Sequence, residues 1–237
     1  MSPFGPFRVI RSSVIIATLV VFGGAAAAHA QVFIGGGPVP RRGSWEISGG
    51  GLWSQGYDLG DTPATLTRNP GTGSGPFELF ASETRVEPAP AGHGRLAIYL
   101  APRVSIEGGV QYSRPRLSTS LSSDAEGAAP ITVSETVTRY VFTGSVVFHF
   151  NSFGNGRGVP FVFGGGGYVR ELHEGAELVE TGQEIHLGAG IKYWFGARRR
   201  RAGLRGDVGL SLRDRGIDFS EQRRTLPTAG VSFVYLF

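Results

Sequence analysis

From residue 43 onward the apolar residues of this chain recur at every second position, and a period of two is the signature of a strand with one apolar face. The C-terminus is the clearest case. Pro227, Ala229, Val231, Phe233, Tyr235 and Phe237 lie on one side, and Thr228, Gly230, Ser232, Val234 and Leu236 on the other. Residues 104–113 repeat the pattern, with Val104, Ile106, Val110 and Tyr112 against Ser105, Glu107, Gln111 and Ser113. Helical periodicity of 3.6 is missing from the same region, so the chain is constrained to an all-β fold.

The alternation marks out eight strands, at 44–57, 94–101, 104–116, 132–150, 159–172, 183–195, 202–213 and 224–237. All but the second reach the ~9–11 residues that a tilted strand needs to cross a bilayer. Their connections alternate in length. Those around Pro102-Arg103, at 151–158 and at 196–201 are short, while 58–93, 117–131, 173–182 and 214–223 are longer. Long loops on one side and short turns on the other are the pattern of an outer membrane barrel. The loop 58–93 carries Pro63, Pro70, Pro76, Pro88 and Pro90 and is expected to be largely irregular, with 77–86 as an extension of the second strand.

Composition narrows the class. The 38 glycines follow no collagen period, and 41% hydrophobic content is enough for a packed structure. With no cysteine the chain has no disulfide, iron–sulfur site, cysteine zinc site or thiol nucleophile. Residues 1–30 read as a cleaved secretory signal: Arg8 and Arg11 precede the apolar run Val14–Phe22, and Ala28-His29-Ala30 is an A-x-A cleavage site. Residues 31–43 then form a short periplasmic segment and 44–237 the barrel. Removing Arg8 and Arg11 from the 23 basic residues leaves 21 against 19 acidic, too balanced to indicate nucleic acid as a partner. Lys192 is the single lysine.

A soluble barrel also alternates, and the quality of the two faces separates the cases. Here the apolar face places aromatics near strand ends: Trp45 and Trp53, Tyr140 and Phe150, Tyr193 and Phe195. Aromatic girdles bordering an apolar band mark a membrane barrel. The other face mixes Gly, Ser and Thr with sparse charge and suits a narrow lumen.

On these features the chain, over about 44–237, resembles the OmpA/OmpX-type eight-stranded outer membrane barrels. The most specific element is the terminal strand with Val231, Phe233, Tyr235 and Phe237 at alternate positions. The resemblance implies that this strand is the signal read by the barrel-assembly machinery. It implies a membrane-spanning up-and-down barrel, and the missing catalytic constellation and charge-filled lumen point to a structural or interaction role through extracellular loops, whose ligand is unspecified. Nothing follows the terminal strand, so no peptidoglycan-binding domain is expected.

The inward set by alternation includes Glu46, Arg95, Glu107, Arg170, Glu184, Lys192, Arg205 and Asp207, with Glu135, Arg139 and Arg213. An eight-stranded lumen is just wide enough for side chains to fill it, and isolated charges there are costly. Pairing is therefore expected, closing the bore. Arg170 with Glu184 and Lys192 with Asp207 are the expected pairs across hairpins, with Arg205 and Glu107 in reach across the lumen. A narrow or gated ion path is the alternative. A lipid A-modifying hydrolase is the second. His149 and His186 are expected to be lumenal, His93 and His173 in loops, and no serine stands two residues from either lumenal histidine. The expectation is therefore no catalysis, no metal and no cofactor. The runs Gly35–Gly37 and Gly164–Gly167 do not connect a strand to a helix, so they are not phosphate loops. Arg198–Arg201 in a periplasmic turn suit anionic headgroups. Arg114, Arg116, Arg213, Arg215, Arg223 and Arg224 lie at the opposite edge, where guanidinium groups match lipopolysaccharide phosphates.

Overall fold

A computed structural model describes residues 40–66, 77–122, 129–154, 156–173, 178–195, 201–215 and 223–237. The expected signal segment at 1–30, the expected periplasmic segment up to residue 39 and Arg198–Arg200 lie outside the described residues. In chain order the strands are β1 (Trp45–Ser54), β2 (Tyr57–Leu66), β3 (Phe77–Val86), β4 (Ala89–Ala101), β5 (Val104–Ser113) and β6 (Arg116–Ser122). They continue with β7 (Ile131–Thr136), β8 (Thr138–His149), β9 (Gly158–Leu172), β10 (Val179–Trp194), β11 (Ala202–Arg215) and β12 (Arg224–Leu236).

Eight of these close into one antiparallel barrel in the order β1-β12-β11-β10-β9-β8-β5-β4. Closure runs through β1, which pairs with β12 on one side and β4 on the other, Gly50 standing opposite both Ser232 and His93. The eight strands are those marked by the alternation. At the turn joining β8 to β9, Gly154 and Gly156 take φ of 59° and 75°, a left-handed region that side chains with a Cβ rarely enter.

The other four strands correct the expectation of irregular loops. They form a second sheet in the order β2-β3-β6-β7, in which two hairpins rising from the loop end of the barrel pair through β3 and β6. Proline content hid β2. Pro63 sits on this strand, but β2 is the outer strand of its sheet, where proline is tolerated. The expected strands 104–116 and 132–150 each divide where chain passes from one sheet to the other, at Arg114-Pro115 and at Val137. Leu59, Val86 and Val137 pack with Tyr57 and Leu117 into a small core at that junction.

Burial is inverted relative to a soluble protein. Ile185, Val208 and Val231 point outward with 65%, 62% and 61% of their surface exposed, whereas Arg205, Lys192 and Glu46 are 0%, 1% and 1% exposed. An outward apolar belt around an ionic interior has favourable contacts with hydrocarbon and unfavourable ones with water. At the turn end, Tyr99, Trp194, Val234 and Leu236 pack into an apolar cluster inside the barrel.

Candidate functional site

The inward side chains form layers along the lumen. Nearest the turn end, Lys192 Nζ lies 2.5 and 2.7 Å from the two carboxylate oxygens of Glu46. Tyr99 donates its hydroxyl to the same carboxylate at 2.8 Å, and His149 Nε2 is 3.1 Å from Lys192. The middle layer is a quartet. Arg95 donates twice to Asp207, at 3.0 and 3.2 Å. Arg205 donates to Asp207 at 3.0 Å and also to Glu107. Toward the loop end, Arg139 and Glu171 are in contact at 2.5 Å, and Arg213 and Ser211 donate to Glu184 at 3.3 and 2.9 Å. The acids Glu46, Glu107, Glu171, Glu184 and Asp207 thus answer the bases Arg95, Arg139, Lys192, Arg205 and Arg213. Among the described residues these layers are electrically balanced, which is the condition for burying ions at tolerable cost.

Between the middle and loop-end layers is a small chamber, open in part to solvent. Arg95, Glu107 and Asp207 line it on one side and Arg139, Glu184 and Arg213 on the other, with Gln111, Thr143, Ser145 and His186 among its walls.

The two hairpin pairs expected from the sequence do not form. Arg170 is exposed on the outer face, opposite Tyr140 and Thr181, while its neighbours Val169 and Glu171 are buried. Glu184 instead faces Gly167 on β9 and Arg213 on β11. Arg170 therefore leaves the lumen set and Glu171 enters it. The phase of β9 was lost because Gly164–Gly167 carry no side chains to read. Phe161 and Phe163 also point inward, into space left by glycines of β10. A Cβ at Gly190 would lie 2.5 Å from Phe161 Cζ, and one at Gly188 2.5 Å from Phe163 Cζ. The Arg205 guanidinium lies over both rings, with centroids at 4.5 and 5.9 Å. Lys192 is opposite Arg205 in the ladder and reaches Glu46 rather than Asp207. Arg205 and Glu107 do meet.

Other residues also move from their expected places. His93 is not in a loop but buried on β4. Glu135 lies on β7, outside the barrel, 3.1 Å from His173 Nδ1. Arg213 is buried in the lumen and leaves the lipopolysaccharide-facing set. Arg114, Arg116 and Arg223 are exposed. Arg224 is half-buried, stacks over Tyr57 at 4.8 Å and donates to the Asp58 carbonyl. Arg215 lies on β11, and its side chain is outside the described residues. On the last strand, Val231, Phe233 and Phe237 are exposed and Tyr235 half-buried, all on the outward face.

A third arrangement was not visible in the spacing. Ser145 on β8 and His186 on β10 flank Gly165 on β9, which is the ladder partner of both. With no side chain at Gly165, Ser145 Oγ and His186 Nε2 meet over it at 2.7 Å. A Cβ at Gly165 would run into the Gly144 carbonyl oxygen and lie 2.8 Å from Ser145 Cα. Across the barrel, His93 and Ser232 meet in the same way over Gly50, also at 2.7 Å. The signal was present as a Gly run beside inward Ser and His, but only the register joins them. Among the described residues no cluster of three His, Asp or Glu is arranged to hold a metal ion.

No known protein family and no curated protein matches the chain. Solved structures with a similar backbone path include the outer membrane protein OprG of Pseudomonas aeruginosa, at 11% identity and TM-score 0.49, covering 84% of this chain and 97% of that one. Ail, the attachment invasion locus protein of Yersinia pestis, shares 12% identity at TM-score 0.43, over 83% of this chain and 99% of that one. The N-terminal β-barrel domain of Pseudomonas aeruginosa OprF shares 13% identity at TM-score 0.37, over 82% and 98%. At these values the barrel is read from its own strand pairing rather than from the likeness.

Proposed function

We propose that this chain is a bacterial outer membrane barrel with a closed lumen that acts as a structural and interaction protein through its loop-side face. The observation that carries the reading is the inverted burial: lipid-compatible side chains outside and a balanced set of ion pairs inside, which supports a lumen without a continuous water path. The second sheet supports the interaction role. It raises the exposed Ile131 and Val133 on β7 above the barrel rim, where apolar side chains meet neither lipid nor core. Arg114, Arg116 and Arg223 suit the phosphates of lipopolysaccharide, and the outward row Val231, Phe233, Tyr235 and Phe237 suits the barrel-assembly machinery.

Cell fractionation with a heat-modifiability gel tests the location, and planar-bilayer recording tests the closed lumen. The expected result is an outer membrane band that shifts on boiling, and no steady conductance from the pure protein. Recovery in the soluble periplasm overturns the membrane reading. Reproducible conductance steps overturn the closed lumen in favour of a narrow channel. Unchanged lipid A mass spectra with and without the gene are expected, and a missing acyl chain would favour a lipid-modifying enzyme.

A further inference from the structure

The geometry points to Ser145, His186 and Glu184 as a nucleophile, base and orienting acid in the loop-side chamber, acting on small soluble acyl esters that enter from the loop end. Ser145 Oγ is 2.7 Å from His186 Nε2, which places the imidazole to take the hydroxyl proton. The other ring nitrogen, Nδ1, has no hydrogen-bond partner and lies 3.9 Å from Glu184 Oε1. That distance is longer than a hydrogen bond, and such contacts commonly tighten only when substrate is bound. Glu184 is itself held by Ser211 and Arg213, so its carboxylate is fixed beside the ring. All three residues line the chamber, as do Gln111 and Thr143, whose side chains carry N–H and O–H donors.

The barrel contains its own contrast. His93 and Ser232 make the same 2.7 Å contact over Gly50. Ser232, however, is 1% exposed and does not line the chamber, and His93 Nδ1 has neither a hydrogen-bond partner nor an ion-pairing carboxylate. A bridge that served only to tie strands together would not need the chamber or the acid. The Ser145 bridge has both.

The chemistry balances with water as the only co-reactant. Ser145 Oγ attacks the ester carbonyl carbon, and its proton passes to His186 Nε2. The bond to the alcohol oxygen breaks, and the same proton goes to the departing alkoxide. Water then attacks the acyl-serine, giving its proton to His186. The carboxylic acid leaves, and the proton returns to Ser145. Because the site faces the lumen and the turn end is sealed by Trp194, Tyr99 and Leu236, the substrate is a soluble ester and not a lipid in the surrounding membrane.

The test uses the full-length barrel folded in detergent micelles, with a fluorophosphonate probe and 4-nitrophenyl acetate. Peptide mass spectrometry is expected to place the probe on Ser145. Ser145→Ala removes the label and the esterase rate, and His186→Asn lowers both by roughly 10²-fold or more. Glu184→Gln lowers kcat about tenfold and leaves KM unchanged, a split that loss of packing alone would not produce. Ser232→Ala labels and hydrolyses as the parent does. Each variant is compared only as the heat-modifiable folded band, and Ser145→Gly serves if the alanine variant fails to fold. A parent barrel that neither labels nor hydrolyses overturns the assignment. So does a folded Ser145 variant with the parent's rate, or labelling that falls equally on Ser232. Release of fatty acid from phospholipid vesicles, with no hydrolysis of the soluble ester, overturns the substrate class.

Discussion

Glu46 on β1 and Lys192 on β10 meet across the turn end of the lumen, 146 residues apart in sequence, with Nζ at 2.5 and 2.7 Å from the carboxylate oxygens. Both side chains are 1% exposed. The pair joins strands separated in the barrel by β12 and β11, so it braces the barrel across its bore and not along one ladder.

Breaking this pair from one side leaves a buried charge without its partner. Glu46→Gln is expected to cost about 3–5 kcal/mol. Glu46→Leu combined with Lys192→Met is expected to recover most of that loss, because an apolar pair of similar volume has no ions to desolvate. Tyr99 keeps His149 as a partner in the double variant, with 3.4 Å between Oη and Nε2. Urea unfolding in micelles measures both. A double variant no more stable than the single would show that the ionic contact itself, and not the burial of a lone charge, matters.

The phase of β9 makes opposite predictions for neighbouring residues. Val169 is fully buried and Arg170 exposed. Val169→Asp places an unpaired carboxylate inside the lumen and is expected to abolish the heat-modifiable band. Arg170→Ser is expected to change stability by no more than about 0.5 kcal/mol. The reverse ranking on the same gel would restore the Arg170-inward register.

Gly164 and Gly165 separate the two faces of the glycine run. A Cβ at Gly164 has the His186 carbonyl oxygen at 3.8 Å as its nearest neighbour, an ordinary contact. A Cβ at Gly165 meets the backbone of Gly144 and Ser145, which cannot swing aside as a flexible side chain would. Gly164→Ala is expected to fold as the parent, and Gly165→Ala to lose about 1–3 kcal/mol or more. Equal unfolding midpoints would mean that β8 and β9 are further apart than the register implies.

Phe237 is expected to affect assembly more than the finished barrel. Its side chain is 62% exposed, with a ring contact to Tyr235 at 4.9 Å between centroids. Deleting it removes little packing. Pulse-chase labelling in cells is expected to show slower appearance of the folded band, while refolded protein unfolds near the parent's midpoint. Parent-like assembly kinetics in cells would remove Phe237 from the assembly signal.

The legible part of the fold is the part where neighbouring side chains differ in polarity. Residues 104–113 and 224–237 switch between apolar and polar at each step, so their inward and outward faces follow without knowing any partner. The same rule placed Glu46, Arg95, Glu107, Glu184, Lys192, Arg205 and Asp207 inside. It failed at β9, where the glycines gave no phase and the flanking phenylalanines belonged to the interior. It failed also at β2, where proline at an outer strand reads as loop.

What the sequence determined by itself is local: strand periodicity, the eight barrel segments, an apolar outer band and a charged inner one. A period of two needs only the alternation of side chains along one strand. What the tertiary structure decided is which inward residue meets which. The lumen brings together side chains from strands that are not neighbours in the chain, as with Lys192 and Glu46 or Arg95 and Asp207. Those contacts depend on register, because a slip of one residue exchanges the two faces of a strand. They also depend on where a glycine leaves room, as Gly165 does for Ser145 and His186. Neither quantity is local, and only the closed barrel sets both.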